Sequence, residues 1–157
     1  EDRAEELGVR LVDLDELLET ADLISLHVPL TPETAGMLGE DEFKQMQDHA
    51  HIVNTTRGGI YEDAVLAQAV EEGWIGGAAI DVFEDEPNVL GNPLLDLEDD
   101  FMTPHIAGLT HDSANRIGSL MSESIINVMN GELPINILNP DCTEEDIPEE
   151  NLSPSFQ

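Results

Sequence analysis

The chain has 157 residues, of which 35 are Asp or Glu and only 5 are Lys or Arg, so its formal net charge is −30. This charge excludes nucleic-acid binding by phosphate neutralisation and attraction to an anionic membrane surface, because both need clustered basic residues. The apolar residues make up 40% of the chain, which suffices for the core of one globular domain. No apolar run approaches the roughly 20 residues of a membrane-spanning helix. The single cysteine, Cys142, cannot form an internal disulfide, and we expect a cytoplasmic protein.

The acidic residues are spread along the whole chain, and Lys44 is its one lysine. This composition is typical of protein surfaces in a high-salt cytoplasm, where a Debye length of roughly 3 Å at about 1 M salt screens repulsion between surface charges. An acidic partner-binding protein is the alternative, but such proteins usually concentrate their charge in blocks. We therefore expect an acidic, salt-adapted surface and a halophilic source.

Helix-like and strand-like patterns alternate along the chain. In chain order they predict a helix over 13–19, a strand over 22–28, a helix over 40–47, a strand over 51–56, a helix over 61–72, strands over 76–83 and 101–106, and a helix over 112–129. The polar, proline-containing residues 140–157 are expected to form an acidic, mobile tail. Short apolar strands that alternate with helices are typical of a parallel sheet with helices on both faces. We therefore predict an α/β fold with a doubly wound parallel sheet.

Unusual polar residues follow four of the predicted strands, in segments 27–29, 55–57, 81–86 and 105–108. In open parallel sheets, ligands bind beyond the carboxyl ends of the strands, so these segments are candidates for a functional site.

Four residues in these segments carry side chains suited to catalysis or binding. The guanidinium of Arg57 can bind a carboxylate through two parallel hydrogen bonds, although a surface salt bridge is an alternative in so acidic a chain. Histidine titrates near neutral pH, which suits His105 to proton transfer, with a structural histidine as the alternative. Glu86 is either a solvated acid or the carboxylate that orients that histidine. Asp81 either caps a turn or accepts a hydrogen bond from a ligand amide.

Four motifs occur in a fixed order, DLISLHVPLTPET at 22–34, NTTRG at 54–58, AIDVFEDEP at 79–87 and TPHIAG at 103–108. Together they resemble the nucleotide-binding domain of the D-2-hydroxyacid dehydrogenases, the family that includes phosphoglycerate dehydrogenase. The resemblance runs from about residue 3 to residue 139 and implies a Rossmann-like fold. The glutamate of the third motif favours a hydroxyacid enzyme over the similar formate dehydrogenases, which carry glutamine there.

The resemblance implies a role for each candidate residue. Arg57 would bind the carboxylate and carbonyl of the substrate, His105 would be the acid–base residue, and Glu86 would be its partner. Asp81 would contact the carboxamide of the nicotinamide. The resemblance also implies that Arg57 contacts the cofactor. The remaining cofactor-binding residues that it implies are Val28, Pro29, Thr34, Thr55, Thr56 and Gly108. The implied reaction passes a hydride between NAD(H) and C2 of a D-2-hydroxy acid or 2-keto acid, with NADP left open and no metal involved.

No Gly-x-Gly-x-x-Gly motif occurs in the chain. Because the family carries this phosphate-binding motif upstream of the matching region, we interpret residues 1–139 as the C-terminal part of the NAD-binding domain of a longer enzyme. We expect the isolated piece to bind NAD weakly and to be inactive, and the full-length protein to be a homodimer. A 3-phosphoglycerate-type acid is one candidate substrate. The alternative is a dehydrogenase-like binding or regulatory protein without catalysis.

Overall fold

The computed structural model describes residues 2–98 and 100–137. Their elements are, in chain order, α1 (Asp2–Leu7), α2 (Leu14–Thr20), β1 (Leu23–Leu26), α3 (Glu40–Gln45), β2 (His51–Asn54), α4 (Asp63–Glu71), β3 (Gly77–Ile80), a 3-10 helix (Pro93–Asp96), β4 (Phe101–Met102) and α5 (His111–Met129). The chain divides into two compact units, Glu1–Ala107 and Gly108–Gln157. The expected tail at 140–157 lies outside the described residues.

The first unit is built on a parallel sheet with the strand order β1-β2-β3-β4. Ile24 lies opposite Ile52, and Ile52 lies opposite Ala78, so the central strands pair in register. The predicted α/β class and parallel sheet are confirmed. Because all strands run the same way, the loops that follow them meet at one edge of the sheet, which we call the carboxyl edge.

The core of the first unit lies against one face of this sheet. Alternate residues of β1 and β2 are buried, and their paired neighbours on β3 are buried with them. Helical side chains cover this face, among them Leu18, Phe43 and Leu66, each fully buried. The ring of Tyr61 packs edge-on against that of Phe43, with 6.0 Å between the ring centroids. Burial of these apolar side chains supplies the main driving force that holds the loops of the carboxyl edge in place.

The element boundaries differ from the predicted ones where tertiary contacts override the local pattern. The strand predicted over 101–106 ends at Met102, because Pro104 has no N–H to donate and His105 adopts a left-handed backbone conformation with φ 53°. Helix α4 begins at Asp63 rather than at Tyr61, whose ring is buried in the core. Helix α1 was not predicted. The other predicted helices are confirmed to within two residues at each end.

The second unit consists, in its described part, of α5 and its flanking residues. Thr110 caps α5, because its hydroxyl oxygen accepts a hydrogen bond from the Ser113 N–H at 3.0 Å. Every residue of α5 remains at least partly exposed. Among the described residues, no helix combines the length and the apolar character needed to span a bilayer.

Candidate active site

A histidine and a glutamate form a close pair at the carboxyl edge. Nδ1 of His105 lies 2.6 Å from Oε2 of Glu86, and the two side chains are 48% and 30% exposed. The other carboxylate oxygen of Glu86 accepts a hydrogen bond from the Phe83 N–H at 2.8 Å. Because a carboxylate can only accept, Nδ1 of the histidine carries the hydrogen, and Nε2 is left to exchange a proton with a ligand.

The environment of Glu86 favours its ionised form. Burial raises the pKa of the carboxyl group, but the hydrogen bonds from His105 and from the Phe83 N–H outweigh burial and hold this pKa below its ordinary value. Glu86 is therefore a carboxylate at neutral pH, and it can balance a positive charge on the imidazole of His105.

The backbone of His105 is strained, and Asp81 holds it. A φ of 53° costs roughly 1–2 kcal/mol for a residue with a side chain. Oδ1 of Asp81 accepts hydrogen bonds from the Thr103 hydroxyl and from the Ile106 N–H at 2.8 Å. Oδ2 accepts from the Ala107 N–H at 2.9 Å. The carboxylate thus binds the chain on both sides of the histidine and compensates for the strain between them.

Asp81 is itself buried, with 2% of its surface exposed. Burial raises the pKa of this carboxyl group, while the hydrogen bonds from Thr103, Ala107 and Ile106 lower it and leave the pKa below its ordinary value. These bonds fill three of the roughly four acceptor positions of a carboxylate, which leaves one on Oδ2 for a further donor. Of the two roles that the sequence left open for Asp81, the structure shows the one in which its carboxylate holds a turn of the chain, and its contact with a ligand stays a prediction.

The loop that carries Arg57 is shaped by a buried asparagine at the end of β2. Oδ1 of Asn54 accepts from the N–H and from the hydroxyl of Thr56, and its Nδ2 donates to the Arg57 carbonyl and to the Tyr61 hydroxyl. The amide group thereby satisfies both its donors and both lone pairs of its oxygen. The guanidinium of Arg57 is exposed and donates to the Thr56 carbonyl at 2.6 Å.

The loop that carries Arg57 touches the loop that carries Glu86 through Gly58. We call residues 55–62 the arginine loop and residues 81–92 the glutamate loop. A Cβ atom added to Gly58 would lie 2.1 Å from the carbonyl oxygen of Phe83 and 2.6 Å from the Glu84 nitrogen. Only glycine allows so close an approach of two backbones. This contact joins the loop of Arg57 to the loop of Glu86.

Three cavities open along this edge. The first, about 620 Å³, is bordered by the exposed Arg57 and by residues that the resemblance implied for the cofactor, namely Val28, Pro29, Thr55 and Thr56. The second, about 250 Å³, is bordered by Asp81, Thr55, Ile106 and Ala107. The third, about 340 Å³, is bordered by Glu86 and His105 and is otherwise largely apolar. The structure therefore brings most of the expected site residues to adjoining cavities, with Thr55 shared by two of them.

Two expected cofactor residues are placed differently. The hydroxyl of Thr34 closes a local turn, donating to the Pro29 carbonyl at 2.6 Å and accepting from the Thr31 N–H at 2.8 Å. Gly108 is the first residue of the second unit. Contacts of either residue with a cofactor stay predictions.

The residues present fit one end of a dinucleotide. The cavity beside Asp81 offers apolar walls, and the open acceptor position of Asp81 suits the N–H of an amide such as the nicotinamide carboxamide. The chain has no glycine-rich sequence of the kind that cradles a pyrophosphate. Within the described residues, no group of three or more His, Cys, Asp or Glu side chains is arranged to hold a metal ion.

Sequence reasoning assigned no role to Asn54, Asp63 or Glu84. Asn54 and Glu84 lie within quoted motifs, and Asp63 lies beyond the end of the second one. Asp63 and Glu84 bind each other across a long stretch of chain, whereas Asn54 binds residues of its own loop. The available signal was the position of Asn54 as a polar residue at the end of an apolar strand, where a buried amide must find partners.

Residues 1–107 match the family model for the NAD-binding domain of the D-isomer specific 2-hydroxyacid dehydrogenases. Over 144 residues the chain is 44% identical to a glyoxylate reductase of Korarchaeum cryptofilum, covering 92% of this chain and 43% of that protein. It is also 44% identical over 134 residues to a D-3-phosphoglycerate dehydrogenase of Archaeoglobus fulgidus, covering 85% of this chain and 25% of that protein.

Among solved structures, a D-lactate dehydrogenase with NAD+ from Lactobacillus jensenii matches with a TM-score of 0.77 at 28% identity, covering 85% of this chain and 44% of that one. The chain thus spans less than half the length of each of these relatives. Because the family model matches more than half of the chain, residues 1–107, the chain belongs to the D-isomer specific 2-hydroxyacid dehydrogenase family.

Proposed function

We propose that this chain provides acid–base and substrate-binding residues to an NAD-dependent oxidoreductase that interconverts a D-2-hydroxy acid and the corresponding 2-keto acid. The observation that carries the proposal is the 2.6 Å pair of Glu86 and His105 at the carboxyl edge. The loop of Glu86 also touches the arginine loop through Gly58. Family membership supports the same reaction class.

Each of the three residues has a distinct task in this proposal. Arg57 binds the carboxylate of the substrate, and in a chain with a net charge of −30 it supplies the local positive charge that an anion needs. During reduction, Nε2 of His105 gives a proton to the carbonyl oxygen at C2, and in the reverse direction it takes this proton back. Glu86 holds the ring orientation through Nδ1 and stabilises the imidazolium.

A nicotinamide cofactor, when bound, supplies or accepts the hydride at C2. In this proposal Asp81 accepts a hydrogen bond from its carboxamide through Oδ2. Thr55, Thr56, Val28 and Pro29 border the cofactor, and Thr34 and Gly108 complete its surroundings. NAD is the proposed cofactor, and comparison of NADH with NADPH tests that choice.

The proposal extends to the organisation of the whole protein. Residues 1–139 form part of the NAD-binding domain, and the pyrophosphate cradle and a substrate domain are supplied by further parts of a longer protein. The relatives, which are more than twice the length of this chain, support this organisation. A homodimer, a cytoplasmic location and a halophilic source stay predictions from the sequence.

The candidate substrates are small 2-keto acids. Relatives named glyoxylate reductase and D-3-phosphoglycerate dehydrogenase favour glyoxylate and the keto acid that corresponds to 3-phosphoglycerate. The alternative function, a dehydrogenase-like binding or regulatory protein, needs neither an acid–base pair nor an exposed arginine at the same edge of the sheet.

The decisive experiment measures reduction of a panel of 2-keto acids by NADH and by NADPH with the full-length protein. We expect turnover with at least one keto acid, and a loss of roughly 100-fold or more in kcat with His105→Ala. We expect Arg57→Ala to raise KM strongly. Activity that neither substitution changes would contradict the catalytic assignment, and binding of the keto acid without turnover would favour the alternative.

A further inference from the structure

Two residues outside the proposed catalytic set exchange hydrogen bonds between the start of α4 and the glutamate loop. The Asp63 N–H donates to Oε2 of Glu84 at 2.7 Å, and the Glu84 N–H donates to Oδ2 of Asp63 at 3.1 Å. Each side chain thus binds the backbone of the other residue. We call this pair of bonds the Asp63–Glu84 bridge.

The bridge joins two segments that carry different parts of the site. Asp63 is the first residue of α4, which follows the arginine loop directly, and Glu84 stands two residues before Glu86. The same stretch also touches Gly58, whose added Cβ would overlap the backbone of Phe83 and Glu84. The Phe83–Glu84 segment is therefore fixed at two points, by Gly58 of the arginine loop and by Asp63 at the start of α4.

The carboxyl group of Asp63 is buried, which is energetically unfavourable and is not needed to begin a helix. It is 2% exposed, and among the described residues no hydrogen-bond partner reaches its Oδ1. Oδ2, by contrast, accepts from the Glu84 N–H and from the Asn92 amide. A buried carboxyl oxygen without a partner costs free energy. The N-cap residue of α4, Glu62, makes no side-chain hydrogen bond to the start of the helix. Asp63 is therefore buried at a cost in free energy, at the position where its Oδ2 binds the glutamate loop.

Two further hydrogen bonds connect the bridged segment to His105. The Phe83 N–H donates to Oε1 of Glu86, and Oε2 of the same carboxylate holds Nδ1 of His105. A shift of the Phe83–Glu84 segment would therefore move the glutamate carboxylate, and the imidazole would lose its partner or follow it.

We propose that the Asp63–Glu84 bridge is a positioning element, which sets the Glu86–His105 pair at a fixed place relative to Arg57. Its importance for catalysis rests on the proposed function, but its geometric effect does not. Asp63 and Glu84 act through other residues, and neither is a catalytic residue.

The test compares Glu84→Ala with Glu84→Gln by NMR spectroscopy of the 157-residue chain. The glutamine oxygen can still accept the Asp63 N–H, so we expect Glu84→Gln to behave as the original chain. In Glu84→Ala we expect the pKa of the Glu86 carboxyl to rise toward its ordinary value, because the hydrogen bonds that lower it loosen. The ring-nitrogen shifts of His105 should show a smaller fraction of the form with hydrogen on Nδ1.

Glu42→Ala is the matched control. Glu42 also binds a backbone N–H at a helix start, that of Gly39 at 2.8 Å, but it belongs to α3. We expect this variant to lose stability without changing the signals of Glu86 or His105. If Glu84→Ala lowers the Tm as Glu42→Ala does and leaves both signals unchanged, the bridge is only structural and the proposal is wrong. Should Glu84→Ala not fold, Glu84→Asp, which shortens the side chain and keeps its charge, takes its place under the same criteria.

The full-length protein separates this inference from the proposed function. We expect Glu84→Ala to lower kcat about tenfold with a smaller change in KM, and Glu84→Gln to restore it. If the unsubstituted protein reduces no 2-keto acid, the proposed function fails, while the NMR comparison still decides whether the bridge positions Glu86 and His105.

Discussion

Two histidine–carboxylate pairs lie at opposite edges of the same sheet. At the carboxyl edge, Nδ1 of His105 is 2.6 Å from Glu86. At the opposite edge, where the strands begin and which we call the amino edge, Nε2 of His49 is 2.8 Å from Asp22. The hydrogen bonds themselves are similar. Their surroundings differ, because the side chains of the amino-edge pair are 61% and 85% exposed, against 48% and 30% for the carboxyl-edge pair.

The difference between the pairs lies in what supports them. Glu86 is held by the Phe83 N–H, and the backbone of His105 is held by the buried carboxylate of Asp81. Among the described residues, the carboxylates that pair with the imidazole of His49 are those of Asp22 and Asp48, and both are exposed. A pair of this second kind forms and breaks freely in water and contributes little to stability. Close contact is therefore common to both pairs, whereas support from buried groups distinguishes the pair at the carboxyl edge.

The largest effect on this comparison should come from the backbone beside each pair. In Gly58→Ala the new Cβ would lie 2.1 Å from the Phe83 carbonyl oxygen, and in Gly76→Ala it would lie 2.7 Å from the carbonyl oxygen of His49. We expect a loss of about 3 kcal/mol for the first and about 1 kcal/mol for the second, because the deeper overlap forces two backbones apart. Chemical denaturation of both variants measures the difference. Equal stability of Gly58→Ala and the original chain would show that the two loops are not in contact.

The next largest effect concerns activity. In the full-length protein we expect Glu86→Ala to lower kcat about 100-fold, or about 2.7 kcal/mol of transition-state stabilisation, since His105 loses both its orientation and its counter-charge. Asp22→Ala removes the equivalent partner of His49 and should leave kcat unchanged. Steady-state kinetics with the preferred keto acid checks both variants. A matching loss in the two variants would mean that the support around Glu86 is irrelevant to catalysis.

The sequence was sufficient to locate the catalytic candidates, because polar residues after apolar strands are a local signal. This signal places Arg57, Glu86 and His105 after strands, where the structure also has them, and their catalytic roles stay predictions. It was not sufficient to define the support of the pair. The bonds of Asp81 join residues 25 and 26 positions away, and those between Asp63 and Glu84 join residues 21 positions apart. Such contacts follow from how the strands pair, which no local pattern specifies.

The same reason explains the incorrect strand over 101–106. Its apolar pattern is genuine, but Asp81 binds Ile106 and Ala107 and turns the chain at His105 into a conformation that no strand contains. The parallel sheet was predictable because alternation of apolar strands and helices repeats along the chain, so that single local deviations do not obscure it.

A smaller effect on stability should show the contribution of the His105 backbone conformation, independently of the imidazole. We expect His105→Gly to be about 1 kcal/mol more stable than His105→Ala, because glycine adopts a φ of 53° without strain. At the amino edge, where φ at His49 is not positive, the order should reverse, with His49→Ala the more stable variant. Thermal unfolding of the four variants measures both differences. The same order at both positions would contradict the assignment of strain to His105.

The smallest effect is the pH dependence of stability, in which the two pairs should differ in sign. The pKa of Glu86 is lowered in the folded protein, so its contribution is present above the ordinary value of 4.5 and is lost as the pH falls through the lowered pKa. The pKa of His49 is raised above 6.5 by its hydrogen bonds to Asp22 and Asp48. Its contribution is therefore present below pH 6.5 and is lost as the pH rises through the raised pKa.

Glu86→Gln and His49→Gln separate these contributions, because glutamine keeps hydrogen-bonding groups but does not titrate. We expect Glu86→Gln to reduce the decrease in stability that occurs as the pH falls, and to leave the alkaline range unchanged. We expect His49→Gln to reduce the decrease that occurs as the pH rises, and to leave the acid range unchanged. Unfolding midpoints measured in denaturant from acid to mildly alkaline pH distinguish the two. The change in His49→Gln should also fade at high salt, since exposed charges are screened there, whereas the change in Glu86→Gln should persist because its partners are partly buried. A salt-sensitive effect of Glu86→Gln would mean that this pair is as solvated as the one at the amino edge.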